Sequence, residues 1–298
     1  MTSLNLKAST ALPVQIKKKS RMEEIWFRFK KNKTALVGMV LFILILFVVL
    51  FADLIVPYEV SMDQVIMDRL QGPSQKHLFG TDNYGRDIFA RIVHGSRNSL
   101  LVGLGAVIIG IAIGGVLGSV SGYFGGWIDN LIVRFTDTIM CIPLMLLVLT
   151  IVAALGTSLI NVLLAMMIAN VPIYTRIVRS AILPIVSQDY IEAAKASGSN
   201  NLQIIFSHII PNAIGPIIVQ ATMAVGSMII YAASISFLGM GIQPPTPEWG
   251  AMLNEAKAYM LQYPYMVIFP GMAIGLTALS LNLMGDGLRD ALDPKLKD

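Results

Sequence analysis

The sequence predicts an all-α membrane protein with six transmembrane helices, and three observations carry that reading. Hydrophobic residues make up 55% of the 298 residues and charged ones only 13%. The mean hydropathy is +0.69. A soluble domain carries about a quarter charged residues, so this chain is too poor in charge to cover a globular surface facing water. Third, six apolar stretches fall at residues 35–56, 100–121, 136–156, 159–179, 213–238 and 265–284. Each is near the roughly 20 residues that about 30 Å of hydrocarbon demands. The whole reads as one membrane domain behind a polar N-terminal extension.

Taken in order, segment 1–34 is basic: Lys7, Lys17, Lys18, Lys19, Arg21, Arg28, Lys30, Lys31 and Lys33 stand against Glu23 and Glu24. Cytoplasmic flanks are enriched in Lys and Arg, which predicts a cytoplasmic N-terminus. The first apolar run, 35–56, follows a long basic leader without a small-residue cleavage site and reads as a retained anchor. Six crossings return the tail, 288–298, to the cytoplasm with Arg289, Lys295 and Lys297. Loop 57–99 is then extracytoplasmic. Its Arg69, Lys76, Arg86, Arg91 and Arg97 argue weakly the other way, offset by Glu59, Asp63, Asp68, Asp82 and Asp87. The N-terminal excess is larger and decides the orientation. Inside that loop Ile88, Phe89, Ile92 and Val93 recur at helical spacing, while Arg86, Asp87, Arg91 and His94 fall mostly elsewhere on the wheel. A short amphipathic helix fits there, either lying on the membrane interface or packed against the bundle.

The second span carries Ala106, Gly110, Gly114, Gly118 and Gly122, one small residue every four. Lipid supplies no hydrophobic drive between helices, so such a stripe serves close backbone packing; a flexible gating role is the alternative. Gly156 joins the third and fourth spans in a tight hairpin. Cys141 lies in an apolar run and reads as a small buried apolar residue. As the sole cysteine, it excludes an intrachain disulfide and a cysteine metal cluster. Pro244, Pro245 and Pro247 are expected to end the fifth span and stiffen an outer rim. Trp249 beside them reads as a headgroup anchor or as a contact for a docked binding protein.

Enzyme constellations are missing. His77, His94 and His208 have no ligand-spaced neighbours, and without a Gly-Lys dipeptide there is no phosphate loop. No catalytic site, cofactor or metal is expected, and no aromatic-interleaved basic patch suggests nucleic acid. Polar residues inside the spans are few: Asn161, Asn170, Gln220, Thr222, Ser227, Ser234, Ser236 and Asn282. Polar groups within the membrane need partners or water, so Asn161, Asn170, Gln220, Ser227 and Ser234 are candidates to line a translocation path. Interhelical hydrogen bonding accounts for them equally well. The acids Asp53 and Asp137 lie only near span ends, which gives little support to an ion-coupled secondary transporter. No acid, base and nucleophile converge as a membrane-embedded enzyme would need.

The informative segment is the predicted cytoplasmic stretch Asp189-Tyr190-Ile191-Glu192-Ala193-Ala194-Lys195-Ala196-Ser197-Gly198. Asp189 is placed to cap a helix with Glu192 in capping-box position, and Gly198 to end it in the left-handed conformation. About two turns are too short to stand alone in water, so the helix must dock. Ala193 and Ala194 give it a low-relief face for a partner's groove. A second helix is expected from Ser199 or Asn200 to His208, ending before Pro211. A solvated turn, with Glu192 acting only as a cap, is the bland alternative.

Glu192-Ala193-Ala194, Gly198 and Ile210-Pro211 resemble the EAA loop of ABC importer membrane subunits. His208-Ile209-Ile210-Pro211-Asn212 narrows the likeness to the peptide-importer branch. Other blocks are similar to the C-type permeases of dipeptide, oligopeptide and nickel importers: Trp26 to Gly38, Gly80-Thr81-Asp82 with Gly85-Arg86-Asp87, Gly122 to Trp127, Phe237 to Gly250, and Gly285 to Asp290. The resemblance implies a type I importer (MetI-like) fold, with a permease domain over 97–287. It implies a bacterial or archaeal cytoplasmic membrane and import of di- or oligopeptides or related small solutes such as a nickel chelate. It also implies a homologous B-type permease, two ATP-binding ATPase subunits and an extracytoplasmic substrate-binding protein as partners. Asp189, Glu192, Ala193, Ala194 and Gly198 would then couple the chain to the ATPase.

Overall fold

A computed structural model describes residues 21–292; the basic leader before Arg21 and the tail lysines Lys295 and Lys297 lie outside them. The described residues form helices α1 (Arg21–Lys31), α2 (Lys33–Leu50), α3 (Ala52–Ile55), α4 (Ile88–Phe124), α5 (Gly126–Met140) and α6 (Leu144–Leu155). There follow α7 (Leu159–Val186), α8 (Asp189–Ala196), α9 (Asn201–Ile204), α10 (Ile210–Phe237), α11 (Trp249–Ala256) and α12 (Tyr265–Leu292). Five stretches are unbroken, long and apolar enough to cross a membrane, and the α5–α6 pair makes a sixth if counted as one bent span. The all-α, six-span expectation holds, with changes of detail.

The first span runs from Lys33 to Leu50, capped by Asn32, whose side chain accepts the amides of Thr34 and Ala35. The third span is not one rod. α5 and α6 meet at an 82° bend, because Pro143 lacks an amide hydrogen and restricts the residue before it. Cys141 sits at that bend and is exposed rather than buried. Two arginines of α7 hold α5: Arg176 Nη2 lies 2.6 Å from Asp137 Oδ1, and Arg179 grips both oxygens of Asp129 at 2.6 Å. Ser121, near the end of α4, also donates to Asp129.

The glycine stripe of α4 packs on α7. A Cβ at Gly114 would stand 2.8 Å from Tyr174 Cβ and Val171 O, and one at Gly118 would stand 2.5 Å from Thr175 O. Backbone approach this close is available only to glycine. The hairpin at Gly156 is present, with φ +90° there and Ser158 capping α7.

The segment at Ile88–Val93 is neither a separate helix nor a surface one; it forms the first turns of α4, which runs unbroken for 37 residues. Its polar side is the more deeply buried, for an electrostatic reason. Arg86 and Arg91, each with a side chain 1% exposed, share the carboxylates of Asp82 and Glu255. Arg86 Nε lies 2.6 Å from Asp82 Oδ2 and its Nη2 2.8 Å from Glu255 Oε1, while Arg91 Nη2 lies 3.0 Å from Glu255 Oε2. Buried charges persist when paired and hydrogen-bonded. Glu248, 3% exposed, caps α11 by accepting the amides of Gly250 and Ala251.

Trp249 is buried, 2% exposed, and its Nε1 donates to Ile92 O at 3.0 Å. It is therefore not a headgroup anchor. Nor do the prolines end the fifth span: α10 stops at Phe237, where Gly239 takes φ +85° and the amides of Gly239 and Met240 bond back to Ser236 O and Ile235 O. That pair of bonds is the glycine-terminated helix stop.

Candidate functional site

α8 occupies one end of the bundle, between α7 and α9. The chain enters it through Gln188 in extended conformation, with no side-chain cap. The expected cap at Asp189 is thus displaced by one residue, and the capping box with Glu192 does not form. Asp189 and Glu192 both fall in the first turn, where the partial positive charge of the helix end favours carboxylates. The exit matches expectation. Gly198 has φ +83°, its amide bonds to Lys195 O at 3.0 Å, and the Ser199 amide bonds to Ala194 O at 3.1 Å. Any residue with a Cβ would be strained there.

Ile191 is the deepest anchor of this helix. It is fully buried among Ile182, Ile204, Ile205 and Ile209, while Asp189, Tyr190, Glu192, Ala193, Lys195 and Ala196 are exposed. The exposed face is flat at Ala193 and Ala196 and flanked by charge, whereas Ala194, expected on that face, is half-buried and packs on the isoleucine cluster. Among the sequence-predicted site residues, Asp189, Glu192, Ala193 and Ala194 lie together on this one short element, and Gly198 ends it.

The second helix begins as expected, with Asn200 capping Gln203. It does not end before Pro211. It passes through a π-turn at Ile205–Ile209 and continues as α10, with Pro211 in the first turn. Widening the helix by one residue is a known way to absorb an amide-less ring. Asn212 donates to His208 O at 2.7 Å and lies 3.4 Å from the Tyr190 hydroxyl of α8. The His-Ile-Ile-Pro-Asn block therefore spans the end of the π-turn and the first turn of α10.

Residues not singled out as site members complete the dock. Tyr123, 8% exposed, donates its hydroxyl to Asn201 Oδ1 at 2.8 Å. The Lys195 ammonium stands 5.3 Å over the same ring, within cation–π range. The only sequence signal for Tyr123 is its place in the Gly122 to Trp127 block. Its contact with Asn201 spans 78 residues, and no periodicity reports that.

The candidate path residues divide. Gln220, Ser227 and Ser234 recur every seven residues and share one face of α10; Gln220 and Ser227 are exposed and Ser234 half-buried. Ser234 donates to Ile230 O, within its own helix. Asn161 ties the hairpin by donating to Leu155 O and Gly156 O. Asn170 is 1% exposed and donates to Met166 O, with Met228 Sδ at 3.2 Å. The structure brings the three α10 residues into a stripe and keeps the two asparagines apart from it.

The profile of the family described as binding-protein-dependent transport system inner membrane component matches residues 114–298. The profile described as the N-terminal TM domain of oligopeptide transport permease C matches residues 20–73. The chain is 48% identical over 278 residues to the dipeptide transport system permease protein DppC of Alkalihalophilus pseudofirmus, covering 93% of this chain and 91% of that one. It is 44% identical over 275 residues to the glutathione transport system permease protein GsiD of Pectobacterium atrosepticum, covering 92% and 91%. Among solved structures, a chain of the inward-facing MetNI methionine ABC transporter superposes with a TM-score of 0.56 at 18% identity, covering 68% of this chain and 96% of that one. That likeness concerns the fold.

Proposed function

The chain belongs to the family of binding-protein-dependent transport system inner membrane components, the permease subunits of ABC importers, and from that premise we propose that it moves dipeptides or peptide-like solutes of similar size, glutathione among them. A permease of this family has no catalytic site of its own; ATP is hydrolysed by other subunits. The expected partners are two ATPase chains, a homologous B-type permease and an extracytoplasmic binding protein. The end carrying α8 faces the cytoplasm and the end carrying α11 faces outward, in keeping with the basic flank ahead of α2. The first span, 35–56, and the outer loop, 57–99, precede the permease domain, 97–287.

What carries this reading is α8 itself, a two-turn helix anchored chiefly by the buried Ile191, with Asp189, Glu192 and Ala193 exposed. ATP-driven closure of the ATPase pair presses on that face, and the attached spans rock to open the path on the other side. Hydrolysis resets the inward-facing state. The stripe of Gln220, Ser227 and Ser234 on α10 lines the path, where a solute's amide and carboxylate groups exchange hydrogen bonds with water and side chains.

Glu192→Lys tests the coupling role, because it reverses a charge on the exposed face without touching Ile191. We predict that the variant inserts and assembles, and that solute moved per ATP hydrolysed falls at least about tenfold, the effect of roughly 1.4 kcal/mol of lost coupling. A wild-type ratio would remove α8 from the mechanism.

A further inference from the structure

The helices joined covalently to α8 are poorly built to carry force across a membrane. α7 contains Pro172 and Pro184, and α10 contains Pro216 and follows the π-turn. Proline inside a helix and π-turns are the usual causes of bending. α4 differs. Of the four described helices with 28 residues or more, it alone has no proline, and it runs unbroken for 37 residues, about 56 Å at 1.5 Å per residue. Gly110, Gly114, Gly118 and Gly122 are seated on α7, so the stripe that would otherwise loosen it is braced.

Both ends of α4 are fastened to parts that must move together. At one end Tyr123 bonds to Asn201 and lies beneath Lys195, which ties α4 to both sides of Gly198. At the other, Arg91 bonds to Glu255 and to Pro245 O. Ile92 O receives Trp249, Asn98 donates to Pro247 O, and Ser99 bonds to Glu248. These contacts all fall on the segment from Pro245 to Glu255, at the opposite end of the bundle.

We infer that α4 is the strut that carries displacement of α8 to the opposite rim, and that Tyr123 is the positioning residue that engages it. Tyr123 acts through Asn201 and Lys195. Its hydroxyl bonds α4 to Asn201, 78 residues away at the start of α9, and its ring lies under Lys195 of α8, so the rim at Pro245–Glu255 moves with the motor. This rests on the proposed coupling function of α8 and adds to it a third helix, one not continuous with α8 in the chain.

The test compares solute moved per ATP hydrolysed in the full reconstituted complex. Tyr123→Phe keeps the ring beneath Lys195 and removes the bond to Asn201; Asn201→Leu removes the acceptor; Asn201→Asp retains it. The first two should lower the ratio about fivefold, the factor one ordinary hydrogen bond supports, and Asn201→Asp should keep it. The inference is overturned if Tyr123→Phe and Asn201→Leu keep the wild-type ratio, or if transport and hydrolysis decline in proportion, as a packing role predicts. Equal loss in Asn201→Asp would overturn it too. Glu192→Lys measured alongside separates the two levels. If it lowers the ratio while the Tyr123 and Asn201 variants do not, the strut fails and the coupling role of α8 stands; if none does, that coupling role itself fails.

Discussion

At the scale of single residues, the charges of the rim are where the sequence was most misleading. Arg86 and Arg91 stand among loop acids and look solvated, yet their side chains are 1% exposed. The cause is Glu255, which lies 169 residues from Arg86 and 164 from Arg91, a distance over which no pattern announces a pair. Removing one partner of a buried ionic cluster leaves unpaired charge, so Glu255→Ala should cost about 3–5 kcal/mol, read as a lower melting temperature in detergent. Lys76→Met, which breaks the exposed pair with Asp68, should cost no more than about 1 kcal/mol. Burial holds the Glu248 carboxyl above its ordinary value of 4.5, opposed by the amides of Gly250 and Ala251. A raised folded-state pKa means the folded chain takes up the proton first. The contribution of Glu248 to stability is therefore full below 4.5 and is lost as pH rises through the folded value. Acidifying from neutral pH should stabilise the native protein relative to Glu248→Gln in paired melts, and parallel pH profiles would contradict that.

At the scale of elements, what followed from local chemistry was legible and what depended on bending was not. The stop at Gly198 and the hairpin at Gly156 are written in residues whose backbone demands are local, and the glycine stripe of α4 in the regular spacing of small residues along one helix. The kink between α5 and α6 and the π-turn before Pro211 are responses of a helix to a proline, and apolar periodicity runs straight through both. The stripe gives a graded prediction. Gly118→Val would push its Cβ to 2.5 Å from Thr175 O, forcing α4 and α7 apart at a cost of about 1–3 kcal/mol. Gly115 lies in the same helix with nothing within 4 Å of its Cβ position, so Gly115→Ala should be neutral or stabilise by up to about 1 kcal/mol. Thermal unfolding of the two variants side by side measures the difference between a seated glycine and a free one.

At the scale of the whole molecule, charge poverty and six apolar stretches were enough to give the fold class, because a bilayer leaves helices few alternatives. The family likeness rested on blocks scattered from Trp26 to Asp290, several of which the structure explains: Asn212 links α10 to Tyr190, and Tyr123 holds Asn201. The central claim is that α8 is a cytoplasmic surface pressed by a separate motor. The exposed Cys141 must first be replaced by Ser so that a new thiol can be read alone. Cross-linking from Ala193→Cys in that background, in membranes containing the co-expressed complex, then addresses the claim most directly. The account predicts a cross-linked product with a nucleotide-hydrolysing subunit, and protection of the introduced thiol from a membrane-impermeant reagent added outside intact cells. Labelling of that thiol from the outer face, with no cross-link to an ATPase chain, would contradict it.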